Sequence, residues 1–503
     1  MTDPTLGRRA EELLERFGDH DSLLFEGRWH RSGELADRAR RAARGFVEAG
    51  VRPGDRVVVC MANCPEVGLA YTALWRAGAV PTPVLFLLTG DELRHVIQDS
   101  GAVAVLTTPE FLPKVAAAAP GLPVVVVGDA PAGTLPWSQL EAGEELALVD
   151  RRPEDLAALL YTGGTTGRSK GVALTHASLD AAGAAAAAAA APGHTRSLLP
   201  LPLAHAYGLL LTVGSLHVRE PGSAVLMRWF DPAGWLALVE EHRVQTSALV
   251  PSMLSMLLAQ PLEEHDLSSL ERVSSGAAPL AADVQAEFER RIPSVEVREG
   301  YGCTESSALI SAQPVDERRV GSVGKPVTGV EVRIASVTPE AAGGAPAAGE
   351  DGEICVRGPV LMQGYWRSPE ATGHALRDGW LHTGDVGHLD DDGYLYVVDR
   401  IKDLVIRGGF NVYPRDVEDV LLAHPQVVGA AVVGRPDPRV GEEVVAFVQL
   451  GPGASVTPEE LIAFAREHLA SYKYPREVRV VDAIPLTSVL KTDRKALRAG
   501  LQA

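Results

Sequence analysis

The feature that most constrains the fold of this chain is a regular alternation of short, valine-rich apolar runs with longer amphipathic stretches. Runs such as 56–60 and 124–127 are separated by segments with helical periodicity, and the same alternation returns over 223–300. Strands that alternate with helices of about 10 to 15 residues favour βαβ units and parallel sheets. The chain is therefore predicted to be an α/β protein, with an amphipathic helix near its start, over 8–18.

The pattern changes near residue 325. From there to 399, short strands are separated by turns rich in glycine and aspartate, which predicts a small β-rich subdomain. After Arg400 the sequence continues as a compact α+β segment, and about 100 residues are enough for an independent domain. We predict an N-terminal core over 1–399 and a C-terminal domain over 400–503.

Composition excludes several classes of protein. The 503 residues carry a formal net charge of −18, and an acidic chain repels nucleic acid and anionic membranes at long range. The N-terminus has no apolar signal segment, and no apolar run is long enough to span a membrane. We therefore expect a cytoplasmic protein without a membrane span. The four cysteines are predicted to be buried, reduced thiols: Cys60, Cys64, Cys303 and Cys355.

The strongest local signal is the segment 159–176, in which an apolar strand leads into a loop rich in glycine and threonine. Glycines let successive backbone N–H groups turn toward an anion. The chain has seven lysines against 40 arginines, so a lysine beside such a loop indicates a compact ammonium group. The spacing is not that of a Walker A loop, and an ordinary hairpin turn is the alternative. The predicted phosphate-binding residues are Thr162, Gly163, Gly164, Thr165, Thr166, Gly167 and Lys170.

The stretch YTGGTTGRSKG resembles the phosphate loop of the adenylate-forming superfamily, which includes acyl-CoA synthetases, luciferases and peptide-synthetase adenylation domains. Further segments match that family in order: LPLAHAYG, SSGAAPL, EGYGCTES, GEICVRG, WLHTGD, VDRIKDLVIRGGFNVYPRDVE and LKTDRKAL. The resemblance implies a large N-terminal domain with two βαβ-type sheets and a β-barrel. It also implies a small, mobile α+β C-terminal domain.

The same resemblance assigns roles in nucleotide binding. Tyr301 would stack on adenine, Thr304 would hydrogen-bond a phosphate, and Glu305 would hold Mg²⁺. Asp385 would accept both ribose hydroxyls, and Arg400 would reach the ribose or a phosphate. The small residues that would line the nucleotide and the acid are Gly276, Ala277, Ala278 and Gly302.

Two lysines receive roles in conformational change and catalysis. Lys402 resembles the hinge about which the C-terminal domain rotates, and Lys491 resembles the lysine that contacts the carboxylate and the α-phosphate. The chain departs from the family at two positions, since Ser169 replaces a common proline and Leu490 replaces the usual glycine before the lysine.

The resemblance also indicates where the acid and coenzyme A would bind. His205 would line the acyl pocket and gate access to the carboxylate, and we include it among the catalytic residues with Thr304, Glu305 and Lys491. The other predicted substrate-binding residues are Tyr207, Ser252, Gly300 and Cys303. The predicted coenzyme A tunnel contains Gly408, Gly409 and Phe410.

These features imply an ATP- and Mg²⁺-dependent enzyme that activates a small carboxylic acid and transfers it to coenzyme A. One alternative is a stand-alone enzyme that loads an acyl or amino acid on a carrier protein. A second is a divergent member that activates another kind of acid, and a third is a non-catalytic nucleotide sensor. The sequence indicates neither the acid nor the oligomeric state.

Overall fold

The computed structural model describes residues 5–162, 168–336, 349–408, 410–486 and 492–501. Their Cα positions divide into two compact units. The first unit comprises Met1–Glu331 and Val356–Leu381, and the second comprises Val332–Cys355 and His382–Ala503. The division that the sequence predicts between 399 and 400 stays a prediction.

The helices and strands follow one another in the predicted alternation. The helices are α1 (Leu6–Phe17), α2 (Ser32–Glu48), α3 (Pro65–Arg76), α4 (Gly90–Ser100), α5 (Leu112–Ala118), α6 (Trp137–Leu140), α7 (His176–Ala188), α8 (Ala206–Ser215), α9 (Pro232–His242), α10 (Pro251–Leu258), α11 (Ala282–Arg291), α12 (Pro369–Ala375), α13 (Pro414–Leu422), α14 (Pro458–His468) and α15 (Arg494–Ala499). The strands are β1 (Asp21–Phe25), β2 (Arg28–Arg31), β3 (Arg56–Cys60), β4 (Val80–Pro83), β5 (Ala104–Thr107), β6 (Val124–Val126), β7 (Leu135–Pro136), β8 (Leu156–Thr162), β9 (Lys170–Thr175), β10 (Arg196–Leu199), β11 (Ser223–Leu226), β12 (Thr246–Leu249), β13 (Arg272–Ser275), β14 (Glu296–Tyr301), β15 (Ser311–Ala312), β16 (Lys325–Pro326), β17 (Glu331–Ala335), β18 (Gly352–Arg357), β19 (Gly364–Tyr365), β20 (Leu376–Arg377), β21 (Trp380–Leu389), β22 (Leu395–Arg400), β23 (Val405–Arg407), β24 (Phe410–Val412), β25 (Val427–Asp437), β26 (Gly441–Leu450) and β27 (Glu477–Val481).

The first unit contains two largely parallel sheets. One has the strand order β4-β3-β5-β6-β7, with all its pairings parallel. In the other, β1, β11, β10, β12, β13 and β14 are paired in parallel in that order. Continuous apolar strands fit such sheets because helices cover both faces, and Val57, Val58 and Val59 of β3 are fully buried. The predicted α/β class with two βαβ-type sheets is confirmed.

Two helices of the first unit show how the sequence sets local structure. Pro65 begins α3, where its fixed φ suits the first helical position. The alanine-rich helix α7 packs on α8, and Gly183 permits the contact because a Cβ there would lie 2.7 Å from the carbonyl oxygen of Val213. The alanine run is thus part of a buried helix pair, with Ala182 and Ala185 inside.

The second unit has its own core. Strands β24, β23, β26 and β25 are neighbours in a sheet, and β27 pairs in parallel with β26. Helices α13 and α14 lie over this sheet, and Val432, Val444 and Leu461 are completely buried in the shared core. The predicted α+β character of the C-terminal segment is confirmed.

The cysteines largely match their predicted environment. Cys60, Cys64 and Cys355 are buried, and burial raises the pKa of the Cys60 thiol to about 11. Cys303 is only half-buried, because it lies just after β14 in the turn that precedes Thr304. The expectation of burial was therefore wrong for Cys303. In the described part of the chain, no helix has the length and apolar character needed to cross a bilayer.

A buried histidine ties the N-terminal helix to the first unit. His176 begins α7 and is 1% exposed, and its Nδ1 accepts a hydrogen bond of 3.3 Å from the backbone N–H of Leu6. Burial and then the charge of Arg151 lower its pKa from 6.5 to about 4, against the opposing effects of Asp155 and Asp180. Between about pH 6.5 and pH 4, His176 is therefore protonated in the unfolded chain but neutral in the folded protein. The free energy of unfolding falls as the pH drops through this range.

We predict that changing from about pH 7.5 to about pH 5.5 destabilises the wild type by about 1 kcal/mol more than a His176→Gln variant. Glutamine offers an acceptor to the Leu6 N–H but does not titrate. Urea unfolding of both proteins at both pH values measures the difference. His374→Gln is the control, because that side chain is 82% exposed and should leave the pH dependence unchanged. An identical pH dependence in the wild type and the His176 variant would contradict the prediction.

Candidate active site

The first and last residues of the predicted phosphate loop, Thr162 and Lys170, belong to two antiparallel strands. Strands β8 and β9 pair so that Thr162 stands opposite Lys170. The structure thus brings together the two ends of the predicted loop. The other residues predicted for this loop lie outside the described residues: Gly163, Gly164, Thr165, Thr166 and Gly167.

Tyr365 connects Lys170 with Glu305. Its hydroxyl donates a hydrogen bond of 2.7 Å to Oε1 of Glu305, and Nζ of Lys170 lies 4.9 Å from the centre of its ring. Burial, followed by the charge of Glu305, raises the pKa of Tyr365, so the phenol remains a donor. Sequence reasoning missed Tyr365, because it comes into place when β19 pairs with β9, opposite Val172.

A surface cleft opens beside this group. It has a volume of about 360 Å³ and is lined by Lys170, Tyr365, Ser368 and His374, among others. A carboxylate oxygen suits a hard divalent cation such as Mg²⁺, and an ammonium group suits a phosphate. Glu305 and Lys170 therefore fit a polyphosphate with its magnesium ion, since the carboxylate suits the cation and the ammonium group suits the phosphate.

The predicted adenine and acid walls meet at the carboxyl edge of the second parallel sheet. Strands β13 and β14 are in register, with Ser275 opposite Glu299, so the residues after each strand lie at one edge. Ligands of open α/β sheets bind at this edge. A Cβ on Gly276 would lie 3.5 Å from the ring of Tyr207 and 3.4 Å from the carbonyl oxygen of Gly300.

The backbone at this edge has special conformations. Ala277 has φ = +68°, a left-handed conformation that costs a residue with a side chain about 1 kcal/mol or more. Gly302 has no room for a side chain, since a Cβ would lie 2.4 Å from the backbone of Ala308. The short turn Thr304–Ser306 follows, and the backbone N–H of Cys303 donates to Oγ of Ser306 at 3.1 Å. The tightly packed segment from the end of β14 into this turn therefore carries Tyr301, Thr304 and Glu305. Ala278, one residue after Ala277, is half-buried.

His205 has a definite structural role. It caps the N-terminus of α8, where its Nδ1 accepts a hydrogen bond of 3.3 Å from the N–H of Tyr207. In a neutral imidazole the proton then lies on Nε2. The hydroxyl of Tyr207 donates to the carbonyl oxygen of Ser274 at 3.4 Å, which places that ring beside the β13 edge. Ser252 is half-buried in the first turn of α10, which follows β12 of the same sheet.

In the second unit, the structure brings Asp385 and Arg400 together. They are opposite each other in the pairing of β21 with β22, and Nε of Arg400 lies 2.9 Å from Oδ1 of Asp385. The Asp385 side chain is only 6% exposed. The two residues predicted for the ribose site are thus neighbours, and the roles of both stay predictions.

The segment around the predicted hinge has one anchored end. Lys402 lies in the short turn Ile401–Asp403 that follows β22. Asp403 is buried. Its Oδ2 lies 3.9 Å from Nη1 of Arg494, and its Oδ1 lies 3.5 Å from Nη2 of Arg498, both in α15.

Lys491 and Leu490 lie outside the described residues, but the residues around them are defined. Leu486 forms a β-bridge with Thr492, and the N–H of Asp493 donates to the carbonyl oxygen of Pro485 at 2.8 Å. In α15, Arg494 makes two hydrogen bonds, of 2.7 and 2.9 Å, to the carboxylate of Glu418. The described residues on the two sides of Lys491 are thus close together.

The predicted coenzyme A segment is exposed where it is described. Gly408 has φ = +60°, which favours glycine. Phe410 is 57% exposed, and its ring stacks on that of Tyr472 with the ring centres 4.8 Å apart. Gly409, also predicted for this tunnel, lies outside the described residues.

Comparison with known proteins gives consistent matches along most of the chain. Residues 10–366 match the family model described as AMP-binding enzyme, and residues 416–491 match that of the AMP-binding enzyme C-terminal domain. A feruloyl-CoA synthase from Amycolatopsis sp is 39% identical over 460 residues, 90% of each chain. A 4-coumarate–CoA ligase 3 from Oryza sativa subsp. japonica is 36% identical, over 93% of this chain and 87% of that protein. Among solved structures, the amide bond synthetase McbA from Marinactinospora thermotolerans is 32% identical with a TM-score of 0.89, covering 99% of both chains.

Proposed function

This chain belongs to the AMP-binding enzyme family, and from that membership we propose that it is an AMP-forming acid–CoA ligase. It activates a carboxylic acid with ATP and transfers the acyl group to coenzyme A. The products are acyl-CoA, AMP and pyrophosphate. The observation that carries the proposal is the grouping of Lys170, Tyr365 and Glu305 beside an open cleft, in a chain similar to named CoA ligases.

The first half-reaction joins the acid to AMP. The carboxylate attacks the α-phosphorus of ATP, and pyrophosphate leaves. Lys170 offsets negative charge on the phosphate oxygens, and Tyr365 holds the Glu305 carboxylate in a fixed orientation. When bound, Mg²⁺ neutralises charge on the phosphate oxygens, and Glu305 would hold it there, while Thr304 would hydrogen-bond a phosphate. Lys491 is proposed to contact the carboxylate and the α-phosphate.

The second half-reaction releases AMP. The thiol of coenzyme A attacks the acyl carbonyl of acyl-AMP, the bond from the acyl carbon to the phosphate oxygen breaks, and AMP leaves. We propose that rotation at Lys402 separates the two steps, because one site then performs two different chemistries in sequence. The exposed ring of Phe410 is proposed to meet the pantetheine arm.

The likeness to an amide bond synthetase supports a second candidate function, in which an amine takes the place of the thiol. Transfer to a carrier protein stays an alternative, and the cytoplasmic location stays a prediction. The relatives suggest ferulate and 4-coumarate as the first acids to test.

The test is pyrophosphate release from ATP across a panel of these acids, with coenzyme A, with an amine, with a phosphopantetheinylated carrier protein, or with no acceptor. We expect one class of acid to stimulate release and to give a thioester with coenzyme A, detected by mass spectrometry. Formation of an amide alone would favour the second candidate, and loading of the carrier protein alone would favour the carrier enzyme. Nucleotide binding without turnover on any acid would favour a sensor and contradict the proposal.

A further inference from the structure

Glu353, in β18, contacts the part of the neighbouring strand β21 that precedes Asp385 at two points. Its Oε2 accepts a hydrogen bond of 2.6 Å from Nδ1 of His382, and its Oε1 accepts one of 3.2 Å from the backbone N–H of Gly384. The Glu353 side chain is 14% exposed and that of His382 is 12% exposed. One largely buried carboxylate therefore holds donors on both sides of Thr383.

Gly384 departs from regular strand geometry within β21. It has φ = +72°, and a Cβ there would meet nothing within 4 Å. Thr383 adds a second link to β18, because its hydroxyl donates to the carbonyl oxygen of Ile354 at 2.8 Å and accepts from the N–H of Asp385 at 3.1 Å. The backbone of this segment sets the direction in which the Asp385 side chain points.

We propose that Glu353 is a positioning residue for nucleotide binding: it holds segment 382–384 of β21 so that Asp385 presents its carboxylate to the ribose hydroxyls. This inference rests on the proposed function, in which Asp385 accepts hydrogen bonds from the ribose. Glu353 itself touches no substrate in this scheme and acts through that segment.

The same cluster also has the composition of a zinc site, since Sγ of Cys355 lies 3.4 Å from Nδ1 of His382. Nitrogen and oxygen ligands on one tetrahedral zinc ion lie about 3.3 Å apart. The separation of 2.6 Å between Nδ1 and Oε2 is instead the length of a charge-assisted hydrogen bond. The hydrogen-bonded clamp therefore accounts for the geometry, and the experiment includes an arm that tests for a metal.

The experiment compares two changes at Glu353 that separate length from charge. Glu353→Gln keeps the side-chain length and an acceptor for the Gly384 N–H, whereas Glu353→Asp keeps the charge but is one methylene too short to reach both donors. Calorimetry with the full chain, in EDTA, measures binding of AMP and of 2′,3′-dideoxy-AMP, which lacks both ribose hydroxyls. No acid substrate is needed.

We expect the wild type to bind AMP more tightly than dideoxy-AMP. The ratio of these two affinities should stay within about threefold of the wild-type value in the Gln variant and should fall about tenfold in the Asp variant. Affinity for dideoxy-AMP should change by no more than about twofold in either variant, because only the ribose contact is coupled to Glu353. Glu331→Gln and Glu331→Asp are the matched controls, since Glu331 forms an exposed ion pair with Arg357.

Three results would overturn the inference. The Asp variant could keep the full preference for AMP, or both variants could bind both nucleotides equally poorly, as a general loss of structure would cause. The preference could also disappear in EDTA and return with Zn²⁺, which would make the cluster a metal site. A wild type that binds neither nucleotide would instead refute the proposed function, and the inference with it.

Discussion

Replacing Lys491 with alanine is expected to abolish most acyl-AMP formation while sparing the conversion of supplied acyl-AMP to acyl-CoA. The reason is that Lys491 is proposed to act only in the first half-reaction, where charge develops on the α-phosphate. Loss of a charge-assisted contact to such an oxyanion costs about 3 kcal/mol, or roughly 10²-fold in rate. Single-turnover pyrophosphate release and single-turnover thioester formation measure the two steps separately.

Lys495→Ala is the matched control. Lys495 is an exposed lysine of α15, four positions further along the chain, and its removal should leave both rates unchanged. An equal loss in both half-reactions of the Lys491 variant would show that this lysine supports the structure or both conformations. The proposed role in adenylation would then be wrong.

Replacing Lys402 with proline is expected to have the opposite effect, in that acyl-AMP still forms and thioester formation falls by about 10²-fold or more. Proline fixes φ near −65° and so prevents the backbone rotation that a hinge must make. In the structure, β22 ends at Arg400, and the carboxylate of the buried Asp403 lies near two arginines of α15. Only Ile401 and Lys402 lie between these two points.

Lys402→Ala separates the side chain from the backbone and should retain both half-reactions within about threefold, since alanine leaves φ free to change. Burst kinetics distinguishes the steps, because the proline variant should release one equivalent of pyrophosphate per site and then stall. If the proline variant forms both acyl-AMP and acyl-CoA at the wild-type rates, the pivot is elsewhere in the chain.

Much of the fold follows from local patterns. The valine-rich strands and Pro65 at the start of α3 are visible in the sequence because burial and backbone restriction act on neighbouring residues. Strand partners are a different matter. Strand β1 pairs in parallel with β11, and nothing near residues 21–25 indicates a partner so far along the chain.

The candidate site divides in the same way. Lys170, Glu305 and Asp385 were identified from short motifs that resemble those of a known family, and their roles stay predictions. Tyr365 and Glu353 were not predicted, although each contacts one of these motifs. Their contacts depend on strand pairings between distant segments.

The sequence by itself determined the α/β class, the order of the motifs and the family resemblance, since all three reside in local spacing and residue type. Only the tertiary structure decided that Tyr365 donates to Glu305 beside Lys170, and that Glu353 accepts from both sides of Thr383. The physical reason is that a hydrogen bond needs its two atoms within about 3 Å. For residues far apart in the chain, that separation is set by strand register and helix packing, which no short stretch of sequence specifies.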